Sequence, residues 1–496
     1  MADMKYYPNY IGGKWTDASN GARKTIINPA TREEIATVAE GTREDAKRAI
    51  AAAKKSFYET REWRDMSAPD RAEVLFKVVR IMEERAEELA MLELLNCGKP
   101  LREAQGDVAD ATACFKYYAG LIDKPQGGVQ EVSDGFGKML SLTVHEPVGV
   151  CGAITPWNFP IVTCAWKLAP ALAAGNSVVF SPAGVTPLSS AALFEIFEQA
   201  GMPAGSVNLL MGRGSVVGAE LAESMDVDLI TFTGSTEVGQ GIMRAAAGNI
   251  KKTCLELGGK SPNIIFADAD FEGAVEWAMF GGFFHAGQNC NAGSRLIVEE
   301  SIKDRFVKRL VERTNALTLG DPLKNPDQSA IVTEEHMNRV LAYIEAGKAE
   351  GARCLCGGER YTDGACAKGF FIKPTLFDEC TSNMKIVQEE IFGPVMTIQT
   401  FKTEEEAIAL ANDTIYGLAG GVLTTDGSRA LRVVRELRAG TVWINSFNPV
   451  FAQAPFGGYK MSGIGRDLGE HSLHDFQEIK HICINLNPGP IGWYNN

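Results

Sequence analysis

An alternation of short apolar runs with longer amphipathic segments between Pro147 and Leu257 constrains the fold of this chain more than any other feature. The runs are rich in Val, Ile and Leu, which is typical of strands buried on both faces of a parallel sheet. Five runs predict strands, and they read VGVCGAI, SVVF, SVNLLM, LITFTG and CLELGG. Because a helical segment separates each run from the next, we expect a doubly wound α/β sheet of the dinucleotide-binding type.

Turn and cap residues predict where the intervening helices begin and end. The first helix begins at Pro160 and closes at Gly175 and Asn176. The second has Thr186 as its expected N-cap and ends at Gly201.

Outside this region, the amphipathic spacing predicts that the N-terminal segment to about residue 120 is largely helical. A second strand and helix alternation begins after Gly258 and predicts a second α/β domain. The segments KMLSLTVHEP and HICINLN alternate like exposed strands, which we expect to pair across a subunit interface.

Composition and charge exclude several classes of function. The formal charge of -13 and the lack of a basic cluster argue against a nucleic-acid partner. The stretch MADMKYYPNYIGGKW has no secretory pattern, and prolines interrupt the uncharged residues 147–166, so we expect a cytoplasmic protein that binds no membrane. The eleven cysteines lack framework or zinc-site spacing, which favours reduced thiols and no metal.

Two glycine-containing segments are candidates for a phosphate-binding turn. GRGSVVG, residues 212–218, follows a strand but is one residue too long for G-x-G-x-x-G. In FTGSTEVGQG, Gly234 permits a tight turn into a helix whose first amides, with the Ser235 hydroxyl, would face a phosphate. A simple capped helix is the alternative interpretation.

Two further residues are candidates for chemistry. Glu256 in LELGG ends the last predicted strand, where open α/β sheets bind ligands; it is a candidate general base or a plain surface glutamate. Cys290 in FFHAGQNCNAGSR is a candidate nucleophile or an inert buried thiol. His285 raises the alternative of a cysteine-histidine hydrolase, but a spacing of five residues does not bring the two side chains together.

Five segments taken together resemble the aldehyde dehydrogenase superfamily. They occur in the order FTGSTEVG, CLELGGKSP, FFHAGQNCNAGSR, EEIFGPV and PFGGYKMSGIGRDLG, and the similarity extends from YIGGKW to beyond GTVWIN. The resemblance implies a Rossmann-like dinucleotide-binding domain (1–124 and 147–257), a catalytic α/β domain (258–459) and a small β oligomerisation element (125–146 and 472–496). It also implies a homo-oligomer, either a dimer or a tetramer.

The resemblance implies covalent catalysis of aldehyde oxidation to a carboxylic acid. Cys290 matches the nucleophile, Asn158 the side-chain donor of the oxyanion hole and Glu256 the base that hydrolyses the thioester. Lys167 and Glu478 match positions associated with the cofactor side and with proton relay, although ordinary ion pairing is the alternative for both.

The implied cofactor is NAD, with NADP as the alternative. Ser235 matches the pyrophosphate contact, and Glu390 and Phe392 match the nicotinamide side. The remaining implied contacts are Ile154, Thr155, Pro156, Trp157, Lys167, Ser181, Gly184, Gly234 and Leu257.

The chain departs from the family pattern at two places. Ser181, Pro182, Ala183 and Gly184 replace the common K-P-x-E, so that both a ribose-binding glutamate and a phosphate-attracting lysine are missing. His285 replaces a common amide.

Matched tunnel positions hold Phe159, Trp166, Phe284 and Phe456, which suit an apolar or aromatic aldehyde, or betaine aldehyde by cation-π attraction. Core packing is the alternative role for these aromatic residues. A non-enzymatic protein on the same fold is the competing hypothesis, and the intact Cys290, Glu256 and Asn158 argue against it.

Overall fold

The computed structural model describes residues 4–124, 127–134 and 137–494. The predicted domain segments also include residues 1–3, 125–126, 135–136 and 495–496, and these parts lie outside the described residues. In the described part, no helix has the length and apolar character needed to cross a bilayer, and no group of His, Cys, Asp or Glu forms a candidate metal site.

A largely parallel sheet of eight strands holds the five predicted strands at its centre. Across the sheet, the strands are Gly463–Ile464, Lys252–Glu256, Leu229–Thr233, Val150–Ile154, Ser177–Ser181, Val207–Leu209, Asn9–Ile11 and Lys14–Thr16. The five central strands are mutually parallel, and the outer ones join in antiparallel fashion. The predicted α/β fold class is confirmed.

The strand order reverses at one point of this sheet. Val150–Ile154, the first central strand along the chain, lies between the second and the fourth, Leu229–Thr233. In open α/β sheets the ligand binds outside the carboxyl ends of the strands at such a point. The residues that follow Ile154 and Thr233 therefore face the expected binding crevice.

A second sheet of seven strands forms the core of the following α/β unit. In spatial order, the strands are Arg353–Cys356, Thr375–Asp378, Val395–Phe401, Arg295–Glu299, Pro262–Ile265, Ala419–Leu423 and Thr441–Ile444. Six of these strands are parallel, and Arg353–Cys356 is antiparallel at one edge.

Two three-stranded sheets complete the strand inventory of the described residues. One contains Tyr6–Tyr7, Glu34–Ala39 and Arg23–Ile27, and the other contains Gln477–Asn485, Gly137–Pro147 and Gly128–Asp134. The two predicted exposed strands pair with each other in antiparallel register. Their pairing across a subunit interface stays a prediction.

The α-helices cover the faces of the two large sheets. They span Arg43–Lys55, Ala68–Glu84, Ala86–Cys97, Leu101–Leu121, Pro160–Ala173, Leu188–Ala200, Ala219–Glu223, Thr236–Ala246, Phe271–Phe283, Lys303–Asn315, Glu334–Ala349, Lys385–Gln388, Glu404–Asn412, Gly427–Glu436 and Gly469–Asp475. Pro160–Ala173 is buried on nearly all sides, which explains its apolar composition, and it packs against Leu101–Leu121.

One local prediction holds in part and another is wrong. The N-terminal segment is largely helical from Arg43 onwards, as predicted, but the residues before it form short strands, one of which pairs Tyr10 with the distant Leu209. Thr186 is not an N-cap, since its hydroxyl donates to the Trp157 carbonyl oxygen at 3.0 Å and the helix begins at Leu188.

Candidate active site

A cleft of about 570 Å³ opens at the carboxyl edge of the eight-stranded sheet. Segments that follow Ile154, Thr233 and Glu256 form one side, and the loop that carries Cys290 forms the other. The sheet topology thus brings residues more than a hundred positions apart into one site. Cleft residues from the predicted catalytic and cofactor sets are Pro156, Trp157, Asn158, Gly234, Ser235, Glu256, Leu257, Cys290, Glu390 and Phe392.

Cys290 is half-buried and lines the cleft at the end of a tightly wound turn. The helix Phe271–Phe283 stops just before His285 and Ala286, which adopt left-handed conformations with φ of 49° and 52°. Such conformations strain residues other than glycine and are often retained at functional sites. Burial and the nearby carboxyls of Glu390 and Glu256 raise the pKa of the Cys290 thiol, so the thiol is protonated at neutral pH.

Asn158 is buried beside this turn and is fixed by contacts on both its side chain and its backbone. Its Nδ2 donates to the Gln288 carbonyl oxygen at 2.8 Å, and Lys99 Nζ donates to the Asn158 carbonyl oxygen at 3.0 Å. This bond to Gln288 uses one of the two Nδ2 protons. The second proton is available to an oxygen atom in the cleft.

Glu256 lines the cleft as a buried carboxyl without a hydrogen-bond partner for either oxygen in the described chain. Burial and the negative charge of Asp467 raise the pKa of Glu256 well above its usual range, and the positive charge of Lys167 opposes this increase. A carboxyl with a raised pKa and free oxygens is suited to exchange protons with a substrate or a water molecule.

The structure separates the two predicted relay residues. Lys167 is fully buried and its Nζ lies 2.6 Å from Asp467 Oδ2. Glu478 is 54% exposed and pairs with Lys252 Nζ at 3.2 Å, on the three-stranded sheet and away from the cleft. The buried partner of Lys167 is therefore Asp467, which the sequence contains in the segment GRDLG but which sequence reasoning missed.

The predicted cofactor residues fall into two groups. Ser235 caps the helix Thr236–Ala246, and Glu390 Oε1 accepts a bond from the Gly259 amide at 3.0 Å. Burial raises the pKa of Glu390 to about 7. The second group does not line the cleft; it contains Ile154 and Thr155 at the end of one strand, Ser181 and Gly184 at the end of the next, and Lys167.

The four predicted tunnel residues all line the cleft and form two aromatic pairs. Phe159 stacks on Phe284 with ring centroids 6.1 Å apart, and Trp166 contacts Phe456 at 5.3 Å. Among the lining residues that sequence reasoning missed are Trp277, Phe280, Asp107 and Asp110.

Asp107 and Asp110 place two carboxyl groups in this otherwise aromatic wall. They lie three residues apart on the helix Leu101–Leu121, and this spacing puts them on one helix face. Asp107 contacts the buried Lys99 ammonium group, whereas Asp110 forms no ion pair within the described residues. The spacing was visible in the sequence, but nothing there related that helix face to the cleft.

His285 lies behind the aromatic wall and not against the thiol. Its ring contacts Phe159 at 5.3 Å, and its Nδ1 lies 3.1 Å from Ser329 Oγ. Burial and the Lys99 charge lower the pKa of His285 well below its usual range, so the imidazole is neutral. These contacts do not support a cysteine-histidine dyad.

Comparison with known proteins identifies the family to which this chain belongs. The model of the aldehyde dehydrogenase family matches residues 15–482. The chain belongs to the aldehyde dehydrogenase family. This membership confirms the fold and the reaction class predicted from the sequence, which is NAD(P)-dependent oxidation of an aldehyde.

Individual aldehyde dehydrogenases are similar to the chain over almost its whole length. Betaine aldehyde dehydrogenase of Bacillus subtilis is 50% identical over 488 residues, which cover 98% of this chain and 99% of that protein. Human aldehyde dehydrogenase 1A1 is 44% identical over 492 residues, covering 98% of this chain and 97% of that protein. A crystal structure of Staphylococcus aureus betaine aldehyde dehydrogenase in complex with NAD+ has a TM-score of 0.96 and 46% identity, covering 99% of this chain and 97% of that one.

Proposed function

We propose that this aldehyde dehydrogenase oxidises a cationic aldehyde of the betaine aldehyde type to its carboxylic acid, with NAD+ as hydride acceptor. The observation that carries the reaction is the convergence of Cys290, Asn158 and Glu256 in one cleft at the strand-order reversal. The observation that carries the substrate class is the pair Asp107 and Asp110 in the aromatic wall.

The chain's residues fit a dinucleotide. Thr155 Oγ1 and Thr233 Oγ1 are buried without partners in the described chain, so polar groups remain for a ligand beside the crevice. Ser235 and the N-terminus of Thr236–Ala246 would hold the pyrophosphate, and Glu390 the nicotinamide ribose. When bound, NAD+ supplies an oxidised nicotinamide ring that accepts a hydride from the substrate.

Cys290 begins the reaction by attacking the aldehyde carbonyl carbon. Its thiol must first lose a proton, since the thiolate is the nucleophile. Glu256 is the nearby group with free oxygens, and it influences the thiol electrostatically. We assign to Glu256 the acceptance of this proton in its ionised form.

Attack creates an alkoxide on the former carbonyl carbon, and the chain supplies two donors for it. These are the free Nδ2 proton of Asn158 and the backbone amide of Cys290. Removal of one oxyanion donor lowers kcat by about 100- to 1,000-fold in comparable sites. After hydride loss the acyl group stays on Cys290 as a thioester. Glu256 releases the thiol proton to solvent and, ionised again, activates the water molecule that hydrolyses the thioester.

The aromatic wall and its carboxyls suit a positively charged substrate end. Aromatic faces attract quaternary ammonium groups, and Asp110 adds a negative charge that no partner in the described chain neutralises. The names of the Bacillus subtilis and Staphylococcus aureus relatives agree with this class. An uncharged apolar aldehyde is the second candidate, because Phe280, Phe284 and Trp277 extend the apolar lining.

Two substrates of equal shape separate these candidates. Betaine aldehyde and 3,3-dimethylbutanal differ in whether nitrogen or carbon carries the three methyl groups, and their kcat/KM values can be compared by absorbance at 340 nm. We expect a preference for betaine aldehyde that falls about tenfold in Asp110→Asn. Equal values for both substrates would favour the apolar candidate.

Two variants test the assigned chemistry. Cys290→Ala should abolish turnover. Glu256→Gln should slow NADH formation in the first turnover, because the thiol loses its proton acceptor, and should leave the thioester that does form unhydrolysed and detectable by mass spectrometry. Normal steady turnover in either variant contradicts its assigned role.

A further inference from the structure

The carboxyl end of the second central strand, Ser177–Ser181, lacks the acidic residue that is usual at this place in sites that bind NAD. In dinucleotide-binding folds, an acidic residue near this position binds the ribose hydroxyls of NAD, whereas a nearby cation accommodates the 2'-phosphate of NADP. Residues 181–184 of this chain contain no acidic side chain. The ribose position therefore lacks the usual carboxylate at this strand end.

A lysine ammonium group lies close to the position that the side chain of residue 184 would occupy. A Cβ atom added to Gly184 would lie 3.3 Å from Lys24 Nζ. Lys24 is half-buried on the strand Arg23–Ile27, and its ammonium group forms no hydrogen bond or ion pair in the described part of the chain. Burial lowers the pKa of Lys24, the negative charge of Glu40 opposes this decrease, and the positive charge of Arg213 adds to it.

A second cation belongs to the same cluster. Arg213 follows Gly212, whose carbonyl oxygen also lies 3.3 Å from the added Cβ of Gly184. The Arg213 side chain is 77% exposed, and its Nε contacts Glu40 Oε1 at 2.9 Å. Glu40 acts electrostatically on Lys24 as well, so one carboxylate faces two cations and the cluster stays positive.

We propose, on the basis of the function proposed above, that this enzyme accepts NADP+ as well as NAD+, with Lys24 and Arg213 as the residues that bind the 2'-phosphate. Lys24 supplies the central charge because it lies beside Gly184, where no side chain separates it from the expected ribose position. Arg213 supplies a second charge from the exposed rim of the site. The segment GRGSVVG thus contributes to phosphate recognition through its arginine and not through a glycine-rich loop.

Binding of nucleotide fragments tests this proposal without any turnover. Adenosine 2',5'-bisphosphate and 5'-AMP differ only in the 2'-phosphate, and their dissociation constants are measured by calorimetry at constant ionic strength. We expect tighter binding of the bisphosphate, and a decrease of this preference by about tenfold in Lys24→Gln. Lys308→Gln, an equal change of charge on a distant helix, should leave the preference unchanged.

Arg213→Gln provides a second variant that is safe for folding, because the side chain is mostly exposed. It should lower the preference by a smaller factor, about threefold. Equal affinity of the wild-type protein for both fragments, or an undiminished preference in both variants, overturns the proposal.

Turnover separates this proposal from the underlying function. We expect kcat/KM for NADP+ within about tenfold of that for NAD+, with the ratio falling in Lys24→Gln. Activity with NAD+ and none with NADP+ rejects the inference and leaves the proposed function intact. Inactivity with both cofactors rejects the proposed function, and the fragment-binding measurement then still decides the role of Lys24.

Discussion

Glu256 is subject to two opposite electrostatic influences from a buried ion pair. Asp467 raises the pKa of Glu256 and Lys167 lowers it, while burial supplies the largest increase. A general base acts only when ionised, so deacylation should slow as pH falls through the pKa of Glu256. The pH at which activity falls on the acid limb of the pH-rate profile therefore depends on the charges of Lys167 and Asp467.

Neutralising either member of the pair should move that acid limb in a definite direction. Asp467→Asn removes a negative charge, which lowers the pKa of Glu256 and shifts the limb to lower pH. Lys167→Met removes a positive charge and shifts the limb to higher pH. Each change breaks a buried pair and costs about 3–5 kcal/mol of stability, so the shape of the profile and not the amount of active enzyme is the informative measurement.

His285 offers a control for this prediction about the acid limb. Its imidazole is already neutral, because burial and Lys99 lower its pKa. His285→Asn should thus leave the acid limb in place even where it changes kcat. A limb that moves in this variant and stays fixed in Asp467→Asn contradicts the assignment to Glu256.

The helix Thr236–Ala246 combines a structural and a binding role at its first residues. Ser235 caps it by accepting a bond from the Val238 amide at 3.4 Å, and the same end is the proposed pyrophosphate site. Ser235→Asp retains a good cap and adds a favourable charge for the helix dipole, but that charge repels a pyrophosphate. We expect unchanged thermal stability with a KM for NAD+ raised at least about tenfold.

Ser235→Ala should give the complementary result. Loss of the cap costs about 1 kcal/mol of unfolding free energy, while the helix amides stay available to the cofactor. A larger increase of KM in Ser235→Ala than in Ser235→Asp would show that the hydroxyl and not the helix end dominates binding.

Elements whose character is set locally were predictable from the sequence. Continuous apolar runs predicted the five central strands, and Gly201 marked a helix end through its left-handed conformation. The short N-terminal strands were not predicted, because strands of two to six residues carry little periodicity, and Asn9–Ile11 also depends on a distant partner strand. Thr186 was mistaken for a cap, since local sequence cannot show that its hydroxyl is used by Trp157.

Contacts between segments that are distant in the sequence were only partly predictable. Motif order placed Cys290, Asn158 and Glu256 in one cleft, where the structure also has them. It did not identify the pairing of Lys167 with Asp467, which are 300 residues apart, or the approach of Asp110 to the aromatic wall. Each of these contacts depends on how the helices pack over the sheet, and no local pattern encodes that packing.

The three-stranded sheet formed by Gly128–Asp134, Gly137–Pro147 and Gln477–Asn485 presents an apolar stripe to solvent. Ile482 and Ile484 alternate with polar residues, share one face of the strand and are 38% and 42% exposed. We propose this sheet as the oligomerisation element, with the two large sheets as the cores of the dinucleotide-binding and catalytic domains. Burial of such a stripe against a second copy would remove the exposed apolar surface from water.

Charge introduced into this stripe should therefore dissociate the oligomer. The double variant Ile482→Lys with Ile484→Lys places repelling charges on both copies, and light scattering after size exclusion should report a smaller mass than for the wild-type protein. Leu431→Lys makes the same kind of change at an exposed position of the helix Gly427–Glu436 and should leave the mass unchanged. An unaltered mass in the double variant would place the interface elsewhere, because two buried lysines per copy would be too costly to tolerate within an apolar contact.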